Sequence, residues 1–160
     1  MMKTVTGVLA TIAFTAGLPA VAKDCPPAVI SSIEKAHSGA KTLACKDEHE
    51  RGQILYEAKV RTADGRKLEL DIRPDGAIVL TEEHIATSAV PPAVLQALHA
   101  KYPDATVKEA ERLTAADGAI SFEVEISSAG REKSMTVTEA GAFVEEEAED
   151  DEDAGVDEDN

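Results

Sequence analysis

Few side chains in this sequence stand at spacings that chemistry uses. Cys25 and Cys45 are its two cysteines, and His49 follows four residues after the second. Sulfur and imidazole could ligate a metal, yet the Cys-x-x-Cys or His-x3-His pairs that zinc sites draw on do not occur. In an oxidising compartment, two cysteines without other partners pair with each other, so a Cys25–Cys45 disulfide is expected. Asp151-x-Asp153-x-Gly155 alternates carboxylates, but a calcium loop needs a third alternating acid, Gly at the sixth position and Glu at the twelfth. Weak attraction of divalent cations is all it supports. His37, His49, His84 and His99 are scattered, and Glu123 and Glu125 sit at the alternation of a solvated strand. No Gly-x-Ser-x-Gly, His-Glu-x-x-His, Walker or dinucleotide pattern occurs, so no enzyme, cofactor or metal site is expected. What remains is a set of cations, Lys59, Arg61, Lys67 and Arg73, with Arg66 beside them, suited to polar contacts with a protein.

The elements that must carry these groups follow from composition and pattern. The chain has 160 residues, 31 acids against 16 bases, and a formal charge of -15. That balance argues against nucleic acid and anionic membranes, whose affinity comes from Lys and Arg. Residues 1–22 read as a secretory signal: Lys3, an apolar run from Val5 to Phe14, and Ala20-Val21-Ala22 for cleavage. The run is shorter than the ~20 residues that cross a bilayer. The mature chain is expected in the periplasm, with secretion as the alternative. From Glu145 to Asn160 there are eleven acids and no base, a composition that reads as a disordered acidic tail. Without signal and tail, residues 23–144 carry only -5.

Sliding the chain against itself reveals a repeat at an offset of 65 residues. Pro26-Pro27-Ala28-Val29-Ile30 aligns with Pro91-Pro92-Ala93-Val94-Leu95, Gly65-Arg66 with Gly130-Arg131, and Gly76-Ala77-Ile78-Val79 with Gly141-Ala142-Phe143-Val144. Each copy opens on a helix: Pro-Pro suits a first turn, and Val94, Leu95, Leu98 and Tyr102 share one face. Tyr102-Pro103 and His37-Ser38-Gly39 end the helices. Period-two alternation then predicts strands at Ile54–Val60, Leu68–Ile72 and Ile120–Ile126, with hairpins at Asp64-Gly65, Asp75-Gly76 and Asp117-Gly118. Weaker strand signals lie near Thr42–Cys45 and Val107–Ala110, and both tyrosines, Phe122 and Phe143 are expected in the core. The stretch from Thr81 to Val90 reads as a linker with a helical turn around Glu83-His84-Ile85. The expected organisation is a signal over 1–22, a first repeat over 23–83, a linker over 84–90, a second repeat over 91–147 and an acidic tail over 148–160.

The second copy runs Pro-Pro-Ala-Val-Leu-Gln-Ala-Leu-x-x-Lys-Tyr-Pro, continues through Ala105–Glu111 and Phe122-Glu123-Val124-Glu125-Ile126, and closes on Gly141 to Glu145. It resembles the PepSY-like family, and the tandem form is similar to the fold of beta-lactamase inhibitor protein. Pattern and resemblance together imply an α+β fold of two tandem repeats of one helix followed by a three- to four-stranded antiparallel sheet, the helices covering one sheet face; whether the two sheets join into one is set by edge pairing, which the sequence does not report. It also implies a small exported module of the cell envelope that binds a secreted or envelope protein, or inhibits a secreted enzyme. The sequence departs from a tight inhibitor in lacking Trp, a favoured anchor at interfaces. The alternative function is a cation-binding or cation-responsive periplasmic protein acting through the acidic tail.

Overall fold

The computed structural model describes residues 25–148 apart from residue 51. The expected signal at 1–22 and the acidic residues from 149 onward lie outside the described residues. The order of elements is α1 (Pro27–Ala36), β1 (Lys41–Glu50), β2 (Gln53–Arg61), β3 (Lys67–Ile72), β4 (Ile78–His84), a 3-10 turn (Thr87–Ala89), α2 (Pro92–Lys101), β5 (Thr106–Ala115), β6 (Ile120–Ser128), β7 (Arg131–Thr138) and β8 (Phe143–Ala148). Both helices begin at the second proline of their pair, where the missing N–H costs no hydrogen bond. Both end alike: the His37 amide donates to the Ile33 carbonyl at 2.8 Å and the Tyr102 amide to Leu98 at 2.7 Å.

The eight strands form one sheet in chain order, β1-β2-β3-β4-β5-β6-β7-β8. This overturns the expected two repeats of one helix followed by a three- to four-stranded sheet, with the helices covering one sheet face, and answers what the sequence left open, whether the strands join into one sheet. The reason lies in β4. It does not stop before Thr81 but runs to His84, pairing antiparallel with β5 from Leu80 opposite Ala115 to His84 opposite Glu111. A strand left as an edge would leave a row of backbone N–H and C=O groups without partners, and β5 supplies them. The helical turn expected around Glu83-His84-Ile85 falls instead at Thr87–Ala89.

The described residues divide into two compact units, one of residues 25–85 with 111–121 and the other of residues 86–110 with 122–148. In the first, Val29 and Ile33 of α1 join Ala58, Val60, Leu68, Leu70 and Ile72 in one buried cluster, with Cys25, Cys45, Tyr56 and Ile78 packed against it. The Cys25–Cys45 disulfide fastens the start of α1 to β1, with its Cα atoms 5.7 Å apart. Both sulfurs are thereby committed to the bridge. In the second unit the buried side chains include Val94 and Leu98 of α2, Phe122, Val124 and Ile126 of β6, and Met135 and Val137 of β7.

Two expectations for the second unit need correction. Phe143 is 36% exposed and not in the core, its ring lying 4.7 Å from the Lys101 ammonium. Nor does disorder begin at Glu145, because β8 continues to Ala148 beside β7. Glu146 is held there by Lys101 and by the Tyr102 hydroxyl, with Lys133 at 3.8 Å. These contacts give an acidic segment a reason to stay paired.

Candidate functional site

Period-two alternation sends one side of β2 and β3 into the core and the other outward. In the first unit Ala58, Val60, Leu68, Leu70 and Ile72 are buried, so Glu57, Lys59, Arg61, Lys67, Glu69 and Asp71 share the opposite face. Register then decides which charges meet: Lys46, Glu57 and Asp71 stand abreast, Lys59 is opposite Glu69, and Arg61 is opposite Lys67.

The four cations read from sequence therefore have unequal surroundings. Lys59 is tied to Glu69 at 3.0 Å and is largely covered. Arg61 and Lys67 are exposed side by side at one end of the β2–β3 pair. Arg73 follows β3 at the other end, lining a shallow depression of about 660 Å³ with Gly52, Gln53, Ile54 and Pro74. It lies six positions along the chain from Lys67, about 20 Å along the sheet, so the four do not form one patch. Arg66 is engaged by Asp64 at 2.9 Å and by Glu83 at 3.2 Å. The Thr62 hydroxyl, bonded to Asp64 and then aided by Arg66, holds the Asp64 carboxyl below its ordinary range.

Sequence reasoning missed Lys41, Lys46 and Glu48 on this face. A usable signal existed for two of them: once the disulfide turns Cys45 inward, alternation places Lys46 and Glu48 outward. Lys46 bridges Glu48 at 2.7 Å and Glu57 at 3.2 Å. The hydrogen bond with Glu48 raises the Lys46 ammonium above its usual value and lowers the Glu48 carboxyl. Glu57 behaves differently. Burial pushes its carboxyl up, outweighing the attraction of Lys46, and its Oε1 is buried with no hydrogen-bond partner.

The arrangement is a broad face carrying charges of both signs, suited chemically to polar contacts with another surface. Of the histidines, exposed His84 lies 3.8 Å from half-buried Glu111, and His49 lies 3.5 Å from Asp47 in an exposed pair. No cluster of three or more metal-ligating side chains occurs among the described residues, and among them no helix is long and apolar enough to cross a membrane.

No family model and no curated protein matches this chain. Solved structures do. A DUF2874 family protein from Bacteroides uniformis superposes with a TM-score of 0.65 at 18% identity, over 78% of this chain and 89% of that one. A protein from Bacteroides eggerthii, assigned to the periplasm, gives 0.65 at 16% identity over 78% and 89%. A BLIP-like protein from Bacteroides fragilis gives 0.62 at 24% identity, over 82% of this chain and 93% of that one. At such identities the likeness is one of fold, and the fold of this chain is BLIP-like.

Proposed function

We propose that this protein is an exported, non-catalytic binding or inhibitory module of the cell envelope, and that the charged sheet face of its first unit meets a protein partner. The observation that carries the reading is the BLIP-like fold presenting a wide face of polar side chains. Export is supported by the sequence of residues 1–22 and by the disulfide, which persists in oxidising compartments. A structural neighbour assigned to the periplasm agrees with that location. The finer PepSY-like assignment rests on the motif from Pro91 to Pro103 and its echo at Pro26–Ile30.

The test is affinity capture from envelope extract with residues 23–160, beside a variant in which Lys59, Arg61, Lys67 and Arg73 are all changed to Glu. The variant must keep its circular-dichroism spectrum and a cooperative melt. A partner held by the native chain and lost from the variant is the expected result. A partner held equally by both would remove the sheet face from the reading, and no reproducible partner would remove the binding module altogether.

A further inference from the structure

At one end of the sheet in the first unit, three adjacent strands place a cation at the same register. Lys41 of β1 stands opposite Arg61 of β2, and Arg61 stands opposite Lys67 of β3. All three are exposed. Residues directly opposite on neighbouring strands point to the same side, so the row lies on the charged face. Like charges at such positions oppose pairing. Elsewhere on this face cations stand beside acids, as in Lys46 beside Glu57 and Lys59 beside Glu69, and the like-charge neighbours there are acids, Glu57 opposite Asp71 and Glu69 opposite Glu82.

A bulge produces the row. The pairing passes from Thr42 opposite Val60 to Ala44 opposite Lys59, leaving Leu43 as an extra residue in β1. Without it, Lys41 would share the inward parity of Cys45. A slip of one residue sends a side chain to the other face, and bulges re-aim side chains in this way. Neither Lys41 nor Arg61 has an ion pair among the described residues, while Lys67 is also engaged within the fold.

From this geometry we infer that the Lys41–Arg61–Lys67 row is a docking line for an extended acidic segment of a partner protein. The inference rests on the protein-binding reading above and names the partner's chemistry. Strands lie about 4.8 Å apart, so the row is a line about 10 Å long. It lines neither of two depressions in this unit, one bounded by His37, Thr62 and Asp64 and the other by Ile54 and Arg73. A small anion would want a concave cup. An extended peptide spaces the side chains on one face about 6.7 Å apart, within reach of long cationic side chains. Nucleic acid fits less well. Its duplex carries a charge every ~1.7 Å, about six over the length of the row against three cations, and Tyr56 packs against the core rather than lying on this face as a stacking platform.

The test is fluorescence anisotropy of residues 23–160 with a labelled peptide alternating Glu and Ser over about ten residues, at about 150 mM salt. A Lys–Ser peptide and a single-stranded oligonucleotide of equal charge run alongside. Lys41→Ser with Arg61→Ser should weaken the acidic peptide at least about fivefold, whereas Arg73→Ser should leave it unchanged. Both variants should melt cooperatively. No binding of the acidic peptide, equal binding after the double substitution, or tighter binding of the oligonucleotide would each overturn the docking line. A captured partner lost on charge reversal, without acidic-peptide binding, would sink this inference and leave the binding module standing.

Discussion

Burial holds the Glu57 carboxyl above the ordinary carboxylate range even though Lys46 sits 3.2 Å from one of its oxygens. The other oxygen has no partner, and a buried acceptor left unsatisfied costs free energy. The linkage follows directly. With its folded-state value above its unfolded one, Glu57 binds more protons in the folded chain, so its ionisation costs stability as pH rises through the folded value. Below the unfolded value the cost is absent. Glu57→Gln should therefore melt higher than the native chain at pH 7, by up to about 1 kcal/mol, and the advantage should vanish near pH 3.5. Thermal melts of both proteins across that range check it; an advantage that grows toward acid would contradict the assignment. The neighbouring Glu48 has the opposite sign, since its hydrogen bond with Lys46 lowers it.

At the scale of elements, the turn after β3 is fitted against the first helix. Gly76 has a φ of +90°, and a Cβ there would stand 2.5 Å from the Ser32 hydroxyl and 3.0 Å from the Ala28 carbonyl. Gly141 sits against α2 in the same manner, 2.9 Å from the Ala93 carbonyl. Gly65 offers a control with φ +92° and open space around it. Both Gly76→Ala and Gly65→Ala pay for a left-handed backbone, on the order of 1 kcal/mol. Gly76→Ala alone must also push β3–β4 away from α1, so it should cost about 2 kcal/mol more. Urea unfolding of the two variants measures the difference, and equal losses would mean that helix and turn do not bear on one another.

For the molecule as a whole, the disulfide links residues 20 apart in sequence and ties α1 to the sheet that buries Val29 and Ile33. In the chain-entropy account, a loop of that length is worth about 3 kcal/mol, a sizeable share of the 5–15 kcal/mol typical of a folded protein. Reduction, or Cys25→Ser with Cys45→Ser, should lower the urea midpoint accordingly. A midpoint unmoved by reduction would show that helix and sheet hold together without the bridge.

Much of the local structure was legible in the residues themselves. Pro-Pro starts, the Asp-Gly turns and the alternation from Tyr56 to Val60 encode helix, hairpin and strand through local sterics and burial. The cysteine pair was legible too, because each had one possible partner. β1 was only partly so: its strand extends past Cys45 to Glu50, and the bulge at Leu43 inverts the parity of Lys41. Likewise nothing in Thr81–His84 announces that β4 pairs β5, since hydrogen bonding between strands depends on backbone groups that every residue carries. The candidate site shows the same division. Residue type made Arg61 and Lys67 visible as cations, but register alone set Lys41 beside them, neutralised Lys59 with Glu69 and put Arg73 at the far end. Sequence determines which residues prefer strand, helix or turn and which side of each must be dry, because those preferences are local. Tertiary structure decides how the strands align, and hence which charges become neighbours, because register is settled by pairing across the sheet.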